Sequence, residues 1–170
     1  MPRRIAAKSA TVEPLEPRRL LSGTNLADQL NFAFPLGSAD LVATPVPCPC
    51  GTGRPFKDCC GRLHRGAPAT TAEELMRARY SAFAVRDETY LLQTWHPATT
   101  PGRVDFDPDL RWLSLEILGT LDGGPGDDDG HVEFIAHHQR GLQKSSLHEL
   151  SQFTRFDGQW VYVAALAADA

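Results

Sequence analysis

All four cysteines of the chain fall within thirteen positions, as Cys48-Pro49-Cys50 and, after eight intervening residues, Cys59-Cys60. Their chemistry is that of soft sulfur ligands or of disulfides. Cysteines that are adjacent or one apart are poorly placed to bridge each other, so an oxidised reading leaves only cross-links between the two pairs. Four ordinary buried thiols fit badly with a segment as polar as Gly51–Asp58. Zinc suits the pattern: four thiolates close a tetrahedron at about 2.3 Å from the ion, and Gly51 and Gly53 let the loop turn tightly around it. Such a site has no open coordination position and is structural rather than catalytic. In so short a segment the metal supplies most of the folding free energy, on the order of 10 kcal/mol. Iron in a four-sulfur site is the alternative. The expectation is therefore one structural Zn2+ on Cys48, Cys50, Cys59 and Cys60.

The elements that must carry this loop follow it in the chain. Thr71-Ala72-Glu73-Glu74 fits a capping box, a hydroxyl at the N-cap with a carboxylate three residues on, and predicts a helix start. Ala72, Leu75, Met76, Tyr80, Phe83 and Ala84 then recur at helical spacing. A second short helix is expected from Asp87, carrying Tyr90, Leu91 and Trp95, with Pro97 ending it. Trp112–Thr120, His131–Gln139, Lys144–Phe156 and Gln159–Ala165 read as strands, and Asp157-Gly158 reads as a tight hairpin turn. Helices followed by an antiparallel meander make an α+β domain. Residues 1–45 show no sustained period and are expected to be largely disordered, with a short docked helix in Leu20–Leu36 as the alternative. The division is thus 1–45 extension, 46–67 knuckle and 68–170 α+β domain, the last with its own apolar faces and expected to fold without the knuckle.

A chain of 170 residues with 42% hydrophobic residues can fill a core. It has no run near the roughly 18 apolar residues that a membrane span needs, so a soluble protein without a membrane partner is expected. The net charge of −4 is unevenly spread: Lys and Arg against Asp and Glu count 5 to 4 in residues 1–45, 4 to 1 in 46–67 and 8 to 16 in 68–170. An acidic main domain argues against nucleic acid, except as part of a ribosome.

The run Cys48-Pro49-Cys50-Gly51-Thr52-Gly53-Arg54-Pro55-Phe56-Lys57-Asp58-Cys59-Cys60-Gly61 resembles the SEC-C motif, the zinc knuckle at the C-terminus of the SecA translocase. Thr52 stands where the motif usually has Ser. Downstream, Leu75-Met76-Arg77-Ala78-Arg79-Tyr80-Ser81-Ala82-Phe83, Thr94-Trp95-His96-Pro97, Leu115-Glu116-Ile117-Leu118 and Leu147-His148-Glu149 resemble the YchJ family of uncharacterised bacterial proteins. This likeness spans about residues 46–165. It implies a SEC-C knuckle followed by a cystatin-like cone of the nuclear transport factor 2-like type, with helices leaning on a curved antiparallel sheet around a cavity.

Two function classes follow. In SecA the similar knuckle engages a secretion chaperone and the ribosome, which by resemblance implies an adaptor near nascent-protein handling. Arg54, Phe56, Lys57 and Arg62 are its candidate partner surface. The alternative is a small-molecule site or enzyme in the cavity, with Arg79, Trp95, His96, Glu133, His148 and Glu149 as candidates from the matching segments. Strand alternation sets His148 and Glu149 on opposite faces, so they do not form one dyad. The chain has no serine or cysteine nucleophile elbow, phosphate loop or second metal motif, so no catalytic residue is assigned. Oligomeric state is not legible. Reduced, metal-directed thiols point to the cytoplasm, whereas Leu15-Glu16-Pro17-Arg18-Arg19-Leu20-Leu21-Ser22-Gly23 resembles a short motif of exported planctomycete proteins and is the opposing signal.

Overall fold

The computed structural model describes residues 45–166, so the expectations for the N-terminal extension lie outside the described residues. After a single 3-10 turn at Phe56–Asp58 come three helices, α1 (Cys60–His64), α2 (Ala72–Val85) and α3 (Glu88–Gln93). Four strands follow: β1 (Leu110–Asp122), β2 (Asp129–Arg140), β3 (Gln143–Phe156) and β4 (Gln159–Leu166). The strands pair antiparallel in the order β1-β2-β3-β4, the expected meander.

Thr71 caps α2, its Oγ1 accepting from the Glu74 backbone N–H at 3.0 Å. The reciprocal half of the capping box is replaced. The Glu74 carboxylate accepts from the N–H and hydroxyl of Thr70 at 2.7 and 2.9 Å and pairs with Arg62, because α1 lies over this first turn. Asp87 caps α3 through the Tyr90 N–H at 3.0 Å. This helix stops at Gln93, short of the expected Trp95. Thr94 Oγ1 closes its end on the Tyr90 carbonyl at 2.7 Å, and hydrogen bonds from Tyr162 N–H to Thr94 O and from His96 N–H to Tyr162 O draw Trp95 into a parallel bridge with β4. Pairing with β4, rather than Pro97, ends the helix.

Asp157 and Gly158 both have positive φ, +49° and +75°, as a mirror-image two-residue turn requires. Irregular registers at Trp112/Ser114, Ile117/Gly119 and Gln152/Phe153 bend the sheet. The β1–β2 hairpin closes on itself where Gly130 faces Gly123. A Cβ on Gly130 would stand 2.4 Å from Gly123 Cα, with Ala72 Cβ at 3.2 Å behind it. Gly130→Ala is therefore expected to lose about 1–3 kcal/mol in urea unfolding, the cost of an overpacked site. A loss under about 0.5 kcal/mol would show that this end of the hairpin opens freely.

Helix α2 is used on two sides, which explains why its apolar residues are spread around it. Met76, Arg79, Tyr80 and Phe83 face the sheet across a cavity. Glu74, Arg77, Ala78 and Ser81 meet the knuckle through Arg62, the Cys50 carbonyl, His64 and Cys48, respectively. Cys48, Cys50, Cys60 and Leu63 belong to one buried cluster with Leu75, Tyr80 and Leu115. The α+β part thus shares packing with the knuckle, a contact that the expectation of independent folding left out.

Candidate functional site

The cysteine loop is built by backbone pairing. Pro47 and Pro55 form an antiparallel bridge, flanked by hydrogen bonds from Cys48 N–H to Arg54 O (2.9 Å) and from Phe56 N–H to Val46 O (2.8 Å). Between them Gly51 and Gly53 take φ of +82° and +75°, so the chain doubles back within the span of two cysteines. The 3-10 turn then delivers Cys59 and Cys60 to the start of α1.

The four Sγ atoms lie within 4.8 Å of one another, and none is bridged. Cys50 and Cys59 are 3.6 Å apart, against about 3.8 Å for the edge of a tetrahedron with 2.3 Å bonds to its centre. Thr52 Oγ1 sits 3.4 Å from Cys50 and 3.2 Å from Cys59, and Ser81 Oγ sits 3.6 Å from Cys48, so hydroxyls surround the sulfurs. Arg77 Nη1 donates to the Cys50 carbonyl at 3.1 Å and fixes the loop to α2. Electrostatics favours a cation here. The neighbouring Cys60 thiol lowers Cys50 and is itself raised by Cys50 and by burial, and burial also raises Cys59. Four thiolates within 4.8 Å of one another repel, so a fully deprotonated set needs a dication at its centre. Cys48, Cys50, Cys59 and Cys60 fit a closed four-sulfur metal centre.

The residues expected to form a partner surface on the knuckle do not share one exposed face. Phe56 is half-buried, its ring edge-on to His64 at 5.4 Å, and Arg62 is engaged by Glu74. Arg54 and Lys57 remain exposed. The polar character of the segment hid this, because the partners of Phe56 and Arg62 come from residues further along the chain.

Between α2 and the inner face of the sheet lies a cavity of about 310 Å³. Met76, Tyr80, Phe83, Trp112, Phe134 and Leu147 supply most of its apolar wall, and Arg79, Glu149, Ser151 and Tyr162 supply its polar groups. Arg79 is only 3% exposed. Its guanidinium carbon lies 4.7 Å from the centre of the Trp95 ring and 4.5 Å from that of Tyr162, and its Nη1 donates to Leu91 O and Thr94 Oγ1, each at 2.9 Å. Burial lowers this guanidinium to about 10, which leaves it charged at neutral pH. Glu149 Oε1 accepts from Ser151 Oγ at 2.6 Å and from the Tyr162 hydroxyl at 3.4 Å. Burial first, and then the Glu149 charge, push that hydroxyl up to about 12. Among the described residues Arg79 and Glu149 form no ion pair with each other or with another chain group. Trp95 Nε1 is buried without an acceptor.

Of the six candidate pocket residues, Arg79, Trp95 and Glu149 line the cavity. Glu133 and His148 are joined to each other, Nε2 to Oε1 at 2.8 Å, on the opposite face of the sheet. The register explains the separation: Glu149 pairs with Phe134 and His148 with Ile135, so neighbours on β3 alternate between cavity and exterior. His96 lies in the exposed turn after α3, its Nδ1 accepting from Ala98 N–H at 3.1 Å and its ring edge-on to Phe156. Sequence reasoning missed Ser151 and Tyr162. The two-residue period that places Glu149 inward also places Ser151 inward, and that signal was available. Tyr162 depends on the β3–β4 register, which no local pattern states. No helix among the described residues is long and apolar enough to cross a membrane.

Comparison with known proteins meets this architecture part by part. Residues 71–165 match the family model described as YchJ, middle NTF2-like domain, and residues 46–62 match that of the SEC-C motif. A UPF0225 protein of Streptomyces coelicolor is 54% identical over 122 residues, covering 71% of this chain and 94% of the relative. One from Bordetella parapertussis is 44% identical over 127 residues, covering 71% and 92%. Among solved structures, the chain is similar to a SEC-C motif containing protein from Rhodopseudomonas palustris, solved in solution, with a TM-score of 0.63 and 37% identity, covering 72% of this chain and 99% of that one. A crystal structure of a SEC-C motif containing protein from Psychrobacter arcticus gives a TM-score of 0.60 at 25% identity, covering 74% and 85%.

Proposed function

The chain belongs to the UPF0225 family of YchJ-type proteins, and from that premise we propose that it is a zinc-braced binding protein whose working site is the cavity between α2 and the sheet. One observation carries this reading. An apolar, aromatic-walled space of about 310 Å³ contains a buried arginine and a carboxylate that are not spent on each other. Pockets that bind small molecules combine an apolar lining with a few fixed polar groups in this way. In the same reading the four thiolates hold one structural Zn2+, chosen over iron because a closed tetrahedral site without redox work suits it. The metal would act at a distance from the ligand, by stiffening the knuckle that braces the outer side of α2. Thiols kept reduced for the metal suit a cytoplasmic location.

The adaptor reading, with a ribosome or secretion chaperone as the partner of the knuckle, is supported by Arg54 and Lys57 but draws nothing from Phe56 and Arg62. An enzymatic use of the cavity would require Glu149 to exchange a proton with its ligand. Ser151 and Tyr162 hold this carboxylate in place, which supports recognition in the first instance.

The test is saturation-transfer NMR on the zinc-loaded chain with one- and two-ring fragments, run beside Leu147→Trp, in which an indole replaces a partly exposed side chain at the cavity wall. Several fragments are expected to bind the wild type, and the variant is expected to weaken them at least about tenfold by filling the space. Equal signals from both proteins, or none from either, would sink the proposal.

A further inference from the structure

The polar groups of the cavity narrow the ligand that it accepts, and this inference rests on the binding role proposed above. Three observations bear on it. First, Arg79 already occupies the aromatic faces that attract cations: its guanidinium lies over both Trp95 and Tyr162. A second cation brought into the cavity would meet a fixed positive charge where the rings would otherwise have held it. Second, an anion would meet the Glu149 carboxylate, which the Ser151 and Tyr162 hydroxyls keep on the same wall. Third, the two charged groups stand at different places on one ring, Arg79 over the face of Tyr162 and Glu149 beside its hydroxyl, and no ion pair within the described residues neutralises either. The site therefore presents separate donor and acceptor ends of opposite charge.

Hydrogen-bonding capacity points the same way. Glu149 receives two hydroxyl donors on Oε1, and a carboxylate has room for more on its second oxygen. Arg79, a lining residue of the cavity, is bonded to the chain through Nη1, to Leu91 O and Thr94 Oγ1, and its other guanidinium nitrogens carry no side-chain hydrogen bond among the described residues. A ligand that gives an N–H to Glu149 and offers an oxygen to Arg79 would complete both. Tyr80, Phe83, Trp112 and Phe134 add rings to the wall, which favour a flat apolar body. A cavity of about 310 Å³ stands at the lower end of the range for small-molecule pockets and suits a body of one or two rings.

We infer that the cavity between α2 and the sheet binds a neutral, planar heterocycle of one or two rings that bears an N–H donor and a carbonyl acceptor, with Glu149 taking the donor and Arg79 the acceptor. Such a ligand introduces no net charge beside two fixed charges, and it matches each with one hydrogen bond.

Three probes of similar shape separate this class from its neighbours: quinazolin-4(3H)-one, with a ring N–H and carbonyl; naphthalene, with neither; and 2-naphthoate, an anion. They are titrated into the zinc-loaded full chain, with tryptophan fluorescence and NMR shifts as readouts, beside Glu149→Gln and Tyr162→Phe. The quinazolinone is expected to bind at least about tenfold more tightly than naphthalene or 2-naphthoate. Glu149→Gln is expected to remove most of that preference, and Tyr162→Phe to remove a smaller part of it while leaving the fold intact. If quinazolinone and naphthalene bind equally, or if both variants keep the wild-type preference, the ligand class is wrong and the cavity remains a binding site. Preference for 2-naphthoate overturns the class in favour of an anion read by Arg79. Entry of none of the three overturns this inference, and with the fragment screen also empty the binding role falls as well.

Discussion

Removing the metal is expected to lower the thermal unfolding midpoint of the entire described unit by about 10 °C or more, and not merely to loosen residues 46–62. A closed four-thiolate site contributes on the order of 10 kcal/mol to folding in small zinc domains. Most of that orders the loop itself, since Gly51–Asp58 is polar and has little core of its own. Part of it reaches the α+β domain, because Cys48, Cys50, Cys60 and Leu63 pack in the same cluster as Leu75, Tyr80 and Leu115. Arg77 of α2, bonded to the Cys50 carbonyl, and Arg62 and His64 of α1 add polar ties between the knuckle and α2. When the loop loses its shape, one side of α2 is bared, and a loss of only about 2–3 kcal/mol there moves the midpoint by about 10 °C in a domain of this size.

Calorimetry with and without a chelator, together with colorimetric titration of the released ion, checks this result. One equivalent of zinc per chain is expected. Cys59→Ser with Cys60→Ser should reproduce the chelated protein and release none. Less than half an equivalent after reducing preparation would contradict the metal, and visible absorbance from iron would change its identity. An unchanged main transition after chelation would mean that the knuckle is an appendage and that the shared cluster contributes little.

Much of this centre was legible because its information is local. Two cysteine pairs, two glycines and an intervening polar loop lie in one run of sequence, and the chemistry of four thiolates then leaves few options. The secondary structure was legible for the same reason: Thr71, Asp87 and Asp157-Gly158 act on their immediate neighbours. What could not be read depends on which strand lies beside which, and in what register. Glu149 was found, and the alternation on β3 made Ser151 legible with it, whereas Tyr162 follows only from the β3–β4 pairing. Glu133 and His148 were grouped with it by family likeness, and alternation sends both to the far face. Trp95 was read as helical because the local stop, Pro97, lies beyond it; the actual stop is the backbone of Tyr162, far along the chain. Phe56 and Arg62 were taken for surface residues because nothing nearby in sequence announces Glu74 and His64 as their partners.

Arg79 shows how such non-local partners set an energetic cost, and its substitution has the second large effect expected. Its partners are two ring faces, a main-chain carbonyl and a hydroxyl, so the charge is buried without a counter-ion in contact. Hydrogen bonds of a charged group contribute about 1.5–3 kcal/mol each, and a desolvated cation–π contact about 2 kcal/mol. Against them stands the cost of keeping a guanidinium away from water, which amounts to several kcal/mol. Arg79→Met removes that cost along with the contacts, yet leaves the Leu91 carbonyl with only the longer bond from the Thr94 hydroxyl at 3.3 Å and takes the guanidinium donor away from Thr94 Oγ1. A net loss of about 2–4 kcal/mol is therefore expected in urea unfolding. Arg79→Lys keeps the desolvation cost but gives up the flat stacking between Trp95 and Tyr162 and the fixed fork geometry, so it should not recover the wild type. A lysine variant within about 0.5 kcal/mol of wild type would show that charge alone is needed at this position. A methionine variant as stable as wild type would show that the contacts do no more than offset desolvation, and that Arg79 stands in the cavity for its ligand rather than for the fold.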